Sequence, residues 1–412
     1  MQGIGGALMI PGSLSIISSS FTDKERGKAI GTWSAFTTIV TVGGPVIGGA
    51  LADAGLWRYI FFINVPIGIA SLLILWFKIK ESKDEGADHS LDFPGAITTV
   101  AGLALITFGF LRIPSIGLYN AEVILSLCIG TILLTGFIFI EQRSKHPLMP
   151  LKLFSNKYFS GANLLTFFLY AGLSGAILFL TLNMVQVQGY SQLQAGLTLL
   201  PFTILMILMA RLSGSLVDKH GPRFLLISGP VTAGVGLLLL SFVKETQGPH
   251  EYWLTFFPGI LIFGLGMSFT VAPLTTTVMG SLPNHFSGTA SGINNAISRI
   301  AGVFANAIFG ALAILFFSAS LQKEIAAVHL SSQAKQKVMA EAGNLGNAKA
   351  PAMLASATKL TVEKNYRDSF ISAYGNIMRI CAILAFIGAL MSFIFIKNKL
   401  IKSTGSKSLK TG

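Results

Sequence analysis

Charged side chains are scarce in this sequence. Asp, Glu, Lys and Arg together make up 11% of the 412 residues, whereas 52% are hydrophobic and the mean hydropathy is +0.67. A soluble domain carries roughly 25% charged residues, because its surface has to be solvated. The shortage of charge excludes a soluble enzyme and indicates a chain that lies mostly in lipid.

Signatures of several other protein classes are also missing. No GxxxxGK[ST] loop indicates ATP-driven transport, and no basic start with a short apolar region and a small-residue cleavage site indicates a removable signal peptide. Cys128 and Cys381 lie in apolar stretches without metal-ligand spacing, and His146, His220 and His285 lie in predicted loops. We expect no cofactor, no metal site and no catalytic residue.

Long apolar stretches are abundant instead. A spanning helix needs about 20 mostly apolar residues. Eleven stretches meet this requirement: 1–19, 29–52, 57–77, 94–113, 121–140, 159–186, 193–216, 223–243, 253–279, 286–317 and 369–396. The predicted fold class is therefore all-α, a polytopic membrane protein with eleven transmembrane helices.

The net charge of +13 is unevenly distributed. Seventeen Lys and Arg lie in one alternate set of short connections and the tail, and three, Arg58, Arg112 and Lys244, lie in the opposite set. Lys and Arg accumulate in cytoplasmic connections. The asymmetry predicts an integral protein of the cell (inner) membrane with a cytoplasmic C-terminus, and it explains the basicity without nucleic acid. The same alternation puts residue 1 outside, which predicts further helices before it.

One predicted helix is rich in glycine. Residues 39–49, IVTVGGPVIGG, place Gly44 and Gly48 on one helical face, and Pro45 and Gly49 repeat the spacing. Such spacing lets a neighbouring helix approach closely, while the proline bends the axis. Simple helix packing is the alternative interpretation. The residues singled out are Gly43, Gly44, Pro45, Gly48 and Gly49.

This stretch, continued by ALADAGLWRYIFFINVPIGI, resembles the antiporter motif and the following Trp-Arg and Asn-x-Pro-x-Gly signature of a known family. The family is the fourteen-helix drug:proton antiporter branch of the major facilitator superfamily, the EmrB/QacA type. MQGIGGALMIPGS is similar to the end of that branch's fourth-helix motif, of which Gln2, Gly3 and Gly5 remain. Residues 183–201 are similar to an outer connection, and GSLVDKHGPR at 214–223 is similar to a cytoplasmic loop motif.

The resemblance implies two helical bundles that rock around a central cavity, with eleven helices corresponding to the fourth to fourteenth of fourteen and the first three lacking. The implied organisation is a remainder of the N-terminal bundle at 1–78, a cytoplasmic linker at 79–93, an inserted helix pair at 94–141, a second linker at 142–158, a C-terminal six-helix bundle at 159–396 with an outer loop at 318–368, and a basic cytoplasmic tail at 397–412. Within the outer loop, QKEIAAVHLSSQAKQKVMAEA predicts an amphipathic helix.

The loop motif near 214–223 predicts a cytoplasmic gate formed by Gly214, Asp218, Gly221 and Arg223. Asp218 is placed to accept from a helix N-terminus and Arg223 to reach a neighbouring helix, which stabilises one access state. An ordinary solvated turn is the alternative.

Ionisable residues inside the predicted helices are few. Asp53, Glu122, Glu141 and Asp218 all lie at helix ends or in connections, so the proton carrier stays unidentified. An arginine at a helix centre costs about 2.5 to 3.5 kcal/mol, so Arg299 needs compensation.

Arg299 lies beside Asn294, Asn295 and Ser298, which predicts a role in interbundle contact or substrate access. Snorkelling or pairing with carbonyls is the alternative, and it is favoured for Arg379. The other candidates for ligand contact are polar or aromatic residues within helices: Asn163, Phe167, Phe168, Tyr170, Asn183, Gln186, Trp33 and Phe36.

The sequence thus predicts a secondary active transporter that exports drugs or other small amphipathic or cationic compounds in exchange for protons. Its partners are the small-molecule substrate, protons and the lipid bilayer. Two alternatives stay open: a truncated membrane protein that does not transport, and a facilitator for a metabolite in the same superfamily. Export is favoured by family analogy alone.

Overall fold

The computed structural model describes residues 43–78, 92–145, 147–282 and 286–397, together with Ile16 and Val40. The described residues form helices and connections and contain no strand. The helices are α1 (43–53), α2 (Tyr59–Phe62), α3 (Asn64–Lys78), α4 (Phe93–Ile116), α5 (Ala121–Arg143), α6 (Lys157–Gln186), α7 (Gln192–Thr198), α8 (Leu200–His220), α9 (Pro222–Leu240), α10 (Tyr252–Gly280), α11 (Ser287–Ala326), α12 (Ser332–Ala340) and α13 (Ser356–Phe395).

Nine helical stretches in these ranges are long and apolar enough to cross a membrane, and they coincide with the last nine of the eleven predicted spans. The predicted span 1–19 and most of 29–52 lie outside the described residues. Large apolar side chains are exposed on the helices, for example Trp76 at 85% and Phe77 at 74%. An apolar exterior of this kind matches lipid and not water as the surrounding solvent.

Capping side chains fix where several helices begin. Asp92 accepts from the Gly95 N–H at 2.8 Å at the start of α4. Asn156 accepts from the N–H groups of Tyr158 and Phe159 at the start of α6. Such caps satisfy backbone donors that a helix leaves unpaired at its first turn.

Most of the expected outer connection at 318–368 is helical, beyond the one amphipathic helix that the sequence predicted in it. α11 continues to Ala326 and α13 begins at Ser356, with α12 and a 3₁₀ turn, Glu341–Asn347, between them. The predicted amphipathic helix is present in part, as α12. Helix formation depends on propensity and packing, so Ala-, Lys- and Glu-rich residues extend a spanning helix past the apolar limit.

Contacts divide the chain into two units, one with the bounds Met1–Ser90 and Tyr190–Thr203 and the other with the bounds Leu91–Gly189 and Ile204–Gly412. In the second unit, α6 packs on α11 and α13, α9 packs on α10 and α13, and α4 packs on α5 and α11. Its core is apolar and includes Phe159, Phe256, Phe317 and Phe370, each fully buried.

Candidate functional site

The glycine-rich helix α1 packs against α7 within the first unit. A Cβ atom on Gly49 would lie 2.6 Å from the carbonyl oxygen of Gln192, and one on Gly196 would lie 2.5 Å from that of Pro45. No described atom lies within 4 Å of a Cβ built on Gly44 or Gly48, and Gly43 meets only Ile47 of its own helix. The close approach therefore uses the Pro45–Gly49 face of α1.

Asp53, at the end of α1, caps the start of α7. Its two carboxylate oxygens accept from the N–H groups of Gln192, at 2.8 Å, and Leu193, at 2.9 Å. Hydrogen bonds from the Ser191 hydroxyl and then from the Leu193 N–H hold the pKa of this exposed carboxyl below its ordinary value. Ser191 and Gln194 complete a capping box on the same turn.

The backbone and charge of this contact are thus complementary. A carboxylate lies at the positive end of a short helix, and two glycines let the backbones touch. We refer to the pairing of Asp53, Gly49 and Pro45 with 191–196 as the α1–α7 contact. Sequence reasoning placed Asp53 at a helix end but did not find its partner, because the two segments are about 140 residues apart.

The predicted gate residues lie at the junction of α8 and α9. Gly221 has φ of +79°, a conformation that favours glycine, and it is followed by Pro222 as the first residue of α9. Arg223 donates to the Phe393 carbonyl of α13 at 3.3 Å and lies 5.3 Å from the centre of its ring. Gly214 has open space at its Cβ position.

A polar network joins α6 and α11 in the second unit. The side-chain amide of Asn294 donates to Asn163, at 3.0 Å, and to Thr166, at 2.6 Å. Two turns further along, the Ser174 hydroxyl donates to the side-chain oxygen of Asn306 at 3.0 Å. Asn163 and Thr166 are buried, and buried amides and hydroxyls are stable in an apolar core only when they are paired, so the Asn294 contact fixes the register of the two helices.

Arg299 lies on α11 between these two polar contacts, and it is exposed. The ion pairs recorded among the described residues, Arg112–Glu122 and Arg367–Glu245, do not include it. Arg379, by contrast, donates to Asn376 at 3.1 Å and lies 5.7 Å from the centre of the Phe242 ring.

The remaining candidates in the second unit lie in its interior. Asn163 is 3% exposed and Asn183 is fully buried, next to Tyr374 of α13. Gln186, at the end of α6, lies under Gly346 of the 3₁₀ turn. Tyr170 and the Phe167–Phe168 pair, whose rings meet edge to face, are half-buried on α6.

Two buried carboxyls were not singled out from the sequence. Asp92 is 8% exposed and Glu141 is 3% exposed. Glu141 accepts from the Met149 N–H at 3.1 Å, whereas its second oxygen has no described partner. The sequence analysis placed Glu141 at a helix end, and the connection after α5 folds back over it and covers it.

Some candidates lie outside the described residues. These are Gln2, Gly3, Gly5, Trp33, Phe36 and the side chain of Asp218. Among the residues that are described, no group of three or more His, Cys, Asp or Glu side chains is placed to hold a metal ion.

Comparison with known proteins identifies relatives of this chain. The chain is 29% identical over 325 residues to "Multidrug resistance protein Stp" of Mycobacterium tuberculosis (strain CDC 1551 / Oshkosh), which covers 79% of this chain and 59% of that relative. It is 28% identical over 312 residues to the "Tetracenomycin C resistance and export protein" of Streptomyces glaucescens, with 76% and 57% covered. The chain therefore spans less than two thirds of the length of these relatives.

Among solved structures, a bacterial homolog of the human lysosomal transporter Spinster, in an inward-facing and unoccupied conformation, matches with a TM-score of 0.49 and 15% identity over 93% of this chain and 74% of that chain. The family model described as Major Facilitator Superfamily matches residues 1–306, about three quarters of the sequence. With its apolar helices and this match, the chain belongs to the Major Facilitator Superfamily.

Proposed function

We propose that this protein is a secondary active transporter that exports drugs or other small amphipathic compounds in exchange for protons. The names of its relatives, a multidrug resistance protein and a tetracenomycin C resistance and export protein, support export of such compounds. Its spanning helices support a path through a lipid bilayer. The orientation we propose is that of the positive-inside rule, in the cell (inner) membrane with a cytoplasmic C-terminus.

The single observation that carries the proposal is the α1–α7 contact. In the proposed organisation, α1 belongs to the N-terminal bundle at 1–78 and α7 to the C-terminal bundle at 159–396. A contact between two bundles that depends on backbone surfaces and a capping carboxylate separates without exposing a large apolar core. We propose that it closes the cavity on the outer side in one access state and opens in the other.

Arg223 supports a second contact for the same cycle. Its guanidinium holds the end of α13 through the Phe393 carbonyl and ring. We propose that the turn 214–223 closes the cytoplasmic side, as the resemblance to the loop motif implies. The fourteen-helix branch, the inserted helix pair at 94–141 and the linkers at 79–93 and 142–158 are part of the same proposal.

A candidate proton site has to meet a requirement on free energy. A proton drives transport only if its binding changes the relative stability of the two access states. Among the described residues, the buried carboxyls are those of Asp92 and Glu141. We therefore propose these two as the first to test as the proton site.

Inverted vesicles test the function. Addition of an amphipathic drug to energised vesicles, tried in turn as an anion and as the cation ethidium, should release protons from the lumen for at least one of them, and the release should be absent from vesicles that lack the protein. A metabolite facilitator would move its compound without proton release. A membrane protein that does not transport would produce neither signal, and either result would overturn the proposal.

A further inference from the structure

The depth of Arg299 in the second unit follows from its neighbours. On α11 it lies between Asn294, which bonds to Asn163 and Thr166, and Asn306, which bonds to Ser174. Arg299 is therefore level with α6 between Thr166 and Ser174. Because α6 runs from Lys157 to Gln186, this level is about the middle of α6, roughly 20 Å from its start. Arg299 lies at mid-depth.

The exposed face of α11 at this level is polar. Its exposed positions recur every one to four residues: Gly292, Asn295, Ala296, Arg299, Val303 and Asn306. Three of them carry an amide or a guanidinium. A helix face that meets lipid has a different composition, as on α5, where the exposed residues include Leu125, Ile129 and Ile132. Polar residues inside spanning helices face a bundle interior or a water-filled cavity, and the composition of this face of α11 indicates such an environment.

The charge of this face is uncompensated within the described chain. Arg299 takes part in neither of the ion pairs among the described residues, and the described carboxyls of the spanning helices lie near or beyond the ends of the predicted apolar stretches: Glu122, Glu141, Glu251, Glu324, Glu363 and Asp368. A guanidinium with free N–H groups in a low-dielectric cavity attracts an anion and repels a cation.

We propose that Arg299, with Asn295 and Asn306, binds the carboxylate of an amphipathic anionic substrate at mid-membrane. The guanidinium forms a two-pronged ion pair with the carboxylate, and the amides supply further hydrogen bonds. The apolar part of the substrate lies against the aromatic residues of the same level of α6, Phe167 and Tyr170. This inference rests on the proposed export function and names its substrate class. It excludes from this site the cationic compounds that the sequence analysis included among the possible substrates.

Three probes with one aromatic core and different charges test the proposal. These are 2-naphthoate, its neutral methyl ester and the cation 2-naphthylmethylammonium, bound to the full 412-residue chain in zwitterionic nanodiscs and measured by equilibrium dialysis against empty nanodiscs. We expect naphthoate to bind at least about tenfold more tightly than either other probe. Loss of a charge-assisted pair should weaken naphthoate about tenfold in Arg299→Gln and leave the ester unchanged.

Two control variants separate the charge of Arg299 from its volume and from arginine in general. Arg299→Lys keeps the charge and should retain part of the preference for naphthoate. Arg379→Gln removes an arginine that is already bonded to Asn376, and it should bind all three probes as the unchanged chain does. Equal binding of the three probes, or undiminished naphthoate binding by Arg299→Gln, would overturn the site.

The binding measurement requires no transport, so the two proposals fail separately. If drug-dependent proton release is found but naphthoate shows no preference, the anion site is wrong and export stands. If Arg299→Gln loses naphthoate binding and vesicles release no protons with any drug, the site stands and proton-coupled export is wrong.

Discussion

Two pairs of helices in this molecule approach closely at glycines, and the two contacts differ in the side chains that surround the glycines. In the second unit, α9 and α10 touch at Gly236, whose Cβ would meet the backbone of Gly259 and Phe263. Both glycines of that pair lie between buried apolar side chains. In the first unit, the α1–α7 contact uses Gly49 and Gly196, but it ends in an exposed carboxylate. On the proposed mechanism, the apolar glycine contact is permanent, whereas the one completed by exchangeable hydrogen bonds opens and closes.

The largest effect is expected at the permanent contact. Gly236→Ala places a methyl group against the backbone of α10, and overpacking of this kind costs about 1 to 3 kcal/mol. We expect a lower midpoint of thermal unfolding and less folded protein after extraction. Gly310→Ala is the matched control, because its Cβ meets open space. It should be neutral or stabilising by up to about 1 kcal/mol, and an equal loss in both variants would contradict the comparison.

The next effect is expected at the α1–α7 contact. Gly49→Ala and Gly196→Ala should leave thermal unfolding nearly unchanged but open the contact, so that export falls by about tenfold or more. A reporter cysteine at Val46, in a chain with Cys128→Ser, measures the opening through its rate of alkylation. Gly48→Ala is the control one residue away, and its Cβ has open space. Faster alkylation in the Gly48 variant as well would show that helix α1, and not the contact, had changed.

A smaller effect is expected from the charge of Asp53. Its lowered pKa means that the carboxylate stays ionised, and the contact intact, at every pH above the ordinary value of about 4. Protonation, and loss of the cap, occurs as the pH falls through the lowered pKa. The reporter cysteine at position 46 reacts as its thiolate, so its alkylation rate is first divided by the fraction of thiolate at each pH. The corrected rate should be constant from about pH 8 to pH 5.

Asp53→Asn retains one acceptor and loses the charge, so it should raise the alkylation rate a few-fold at neutral pH. Asp53→Ala should raise it further. An alkylation rate that is the same in all three proteins would mean that the cap does not hold the contact.

The smallest effect is expected at Arg223. Arg223→Lys keeps the charge but loses the planar stacking on Phe393 and weakens the bond to its carbonyl, which should cost less than about 1 kcal/mol. The expected result is a small change in the midpoint of thermal unfolding with a clear shift of cytoplasmic access. The check is the rate at which a reporter cysteine is alkylated from the cytoplasmic face of inverted vesicles. Arg112→Lys, at an exposed and distant position, is the control.

The sequence allowed most of the spans to be placed within a few residues, because apolar length in a membrane is a strong constraint. The α5 span was predicted at 121–140 and is Ala121–Arg143. Contacts between residues far apart in the chain could not be predicted from the sequence. Nothing local connects Asp53 with Gln192, or shows that Glu141 is covered, because both depend on how distant segments meet. The helices beyond the apolar limit, at 318–326 and 356–368, were missed because hydropathy does not report helix propensity.

The paired helices α11 and α13 are each 40 residues long, or about 60 Å, and a hydrocarbon layer is about 30 Å thick. The projecting part of α13 is held to α12 by the Tyr366 hydroxyl, which donates to the Val338 carbonyl, and to α11 by stacking of Tyr366 on Phe317. These helix ends project beyond the detergent belt. For a chain of only 43.8 kDa, the projection gives particle images in electron microscopy a feature for alignment, and it offers an epitope for antibody fragments.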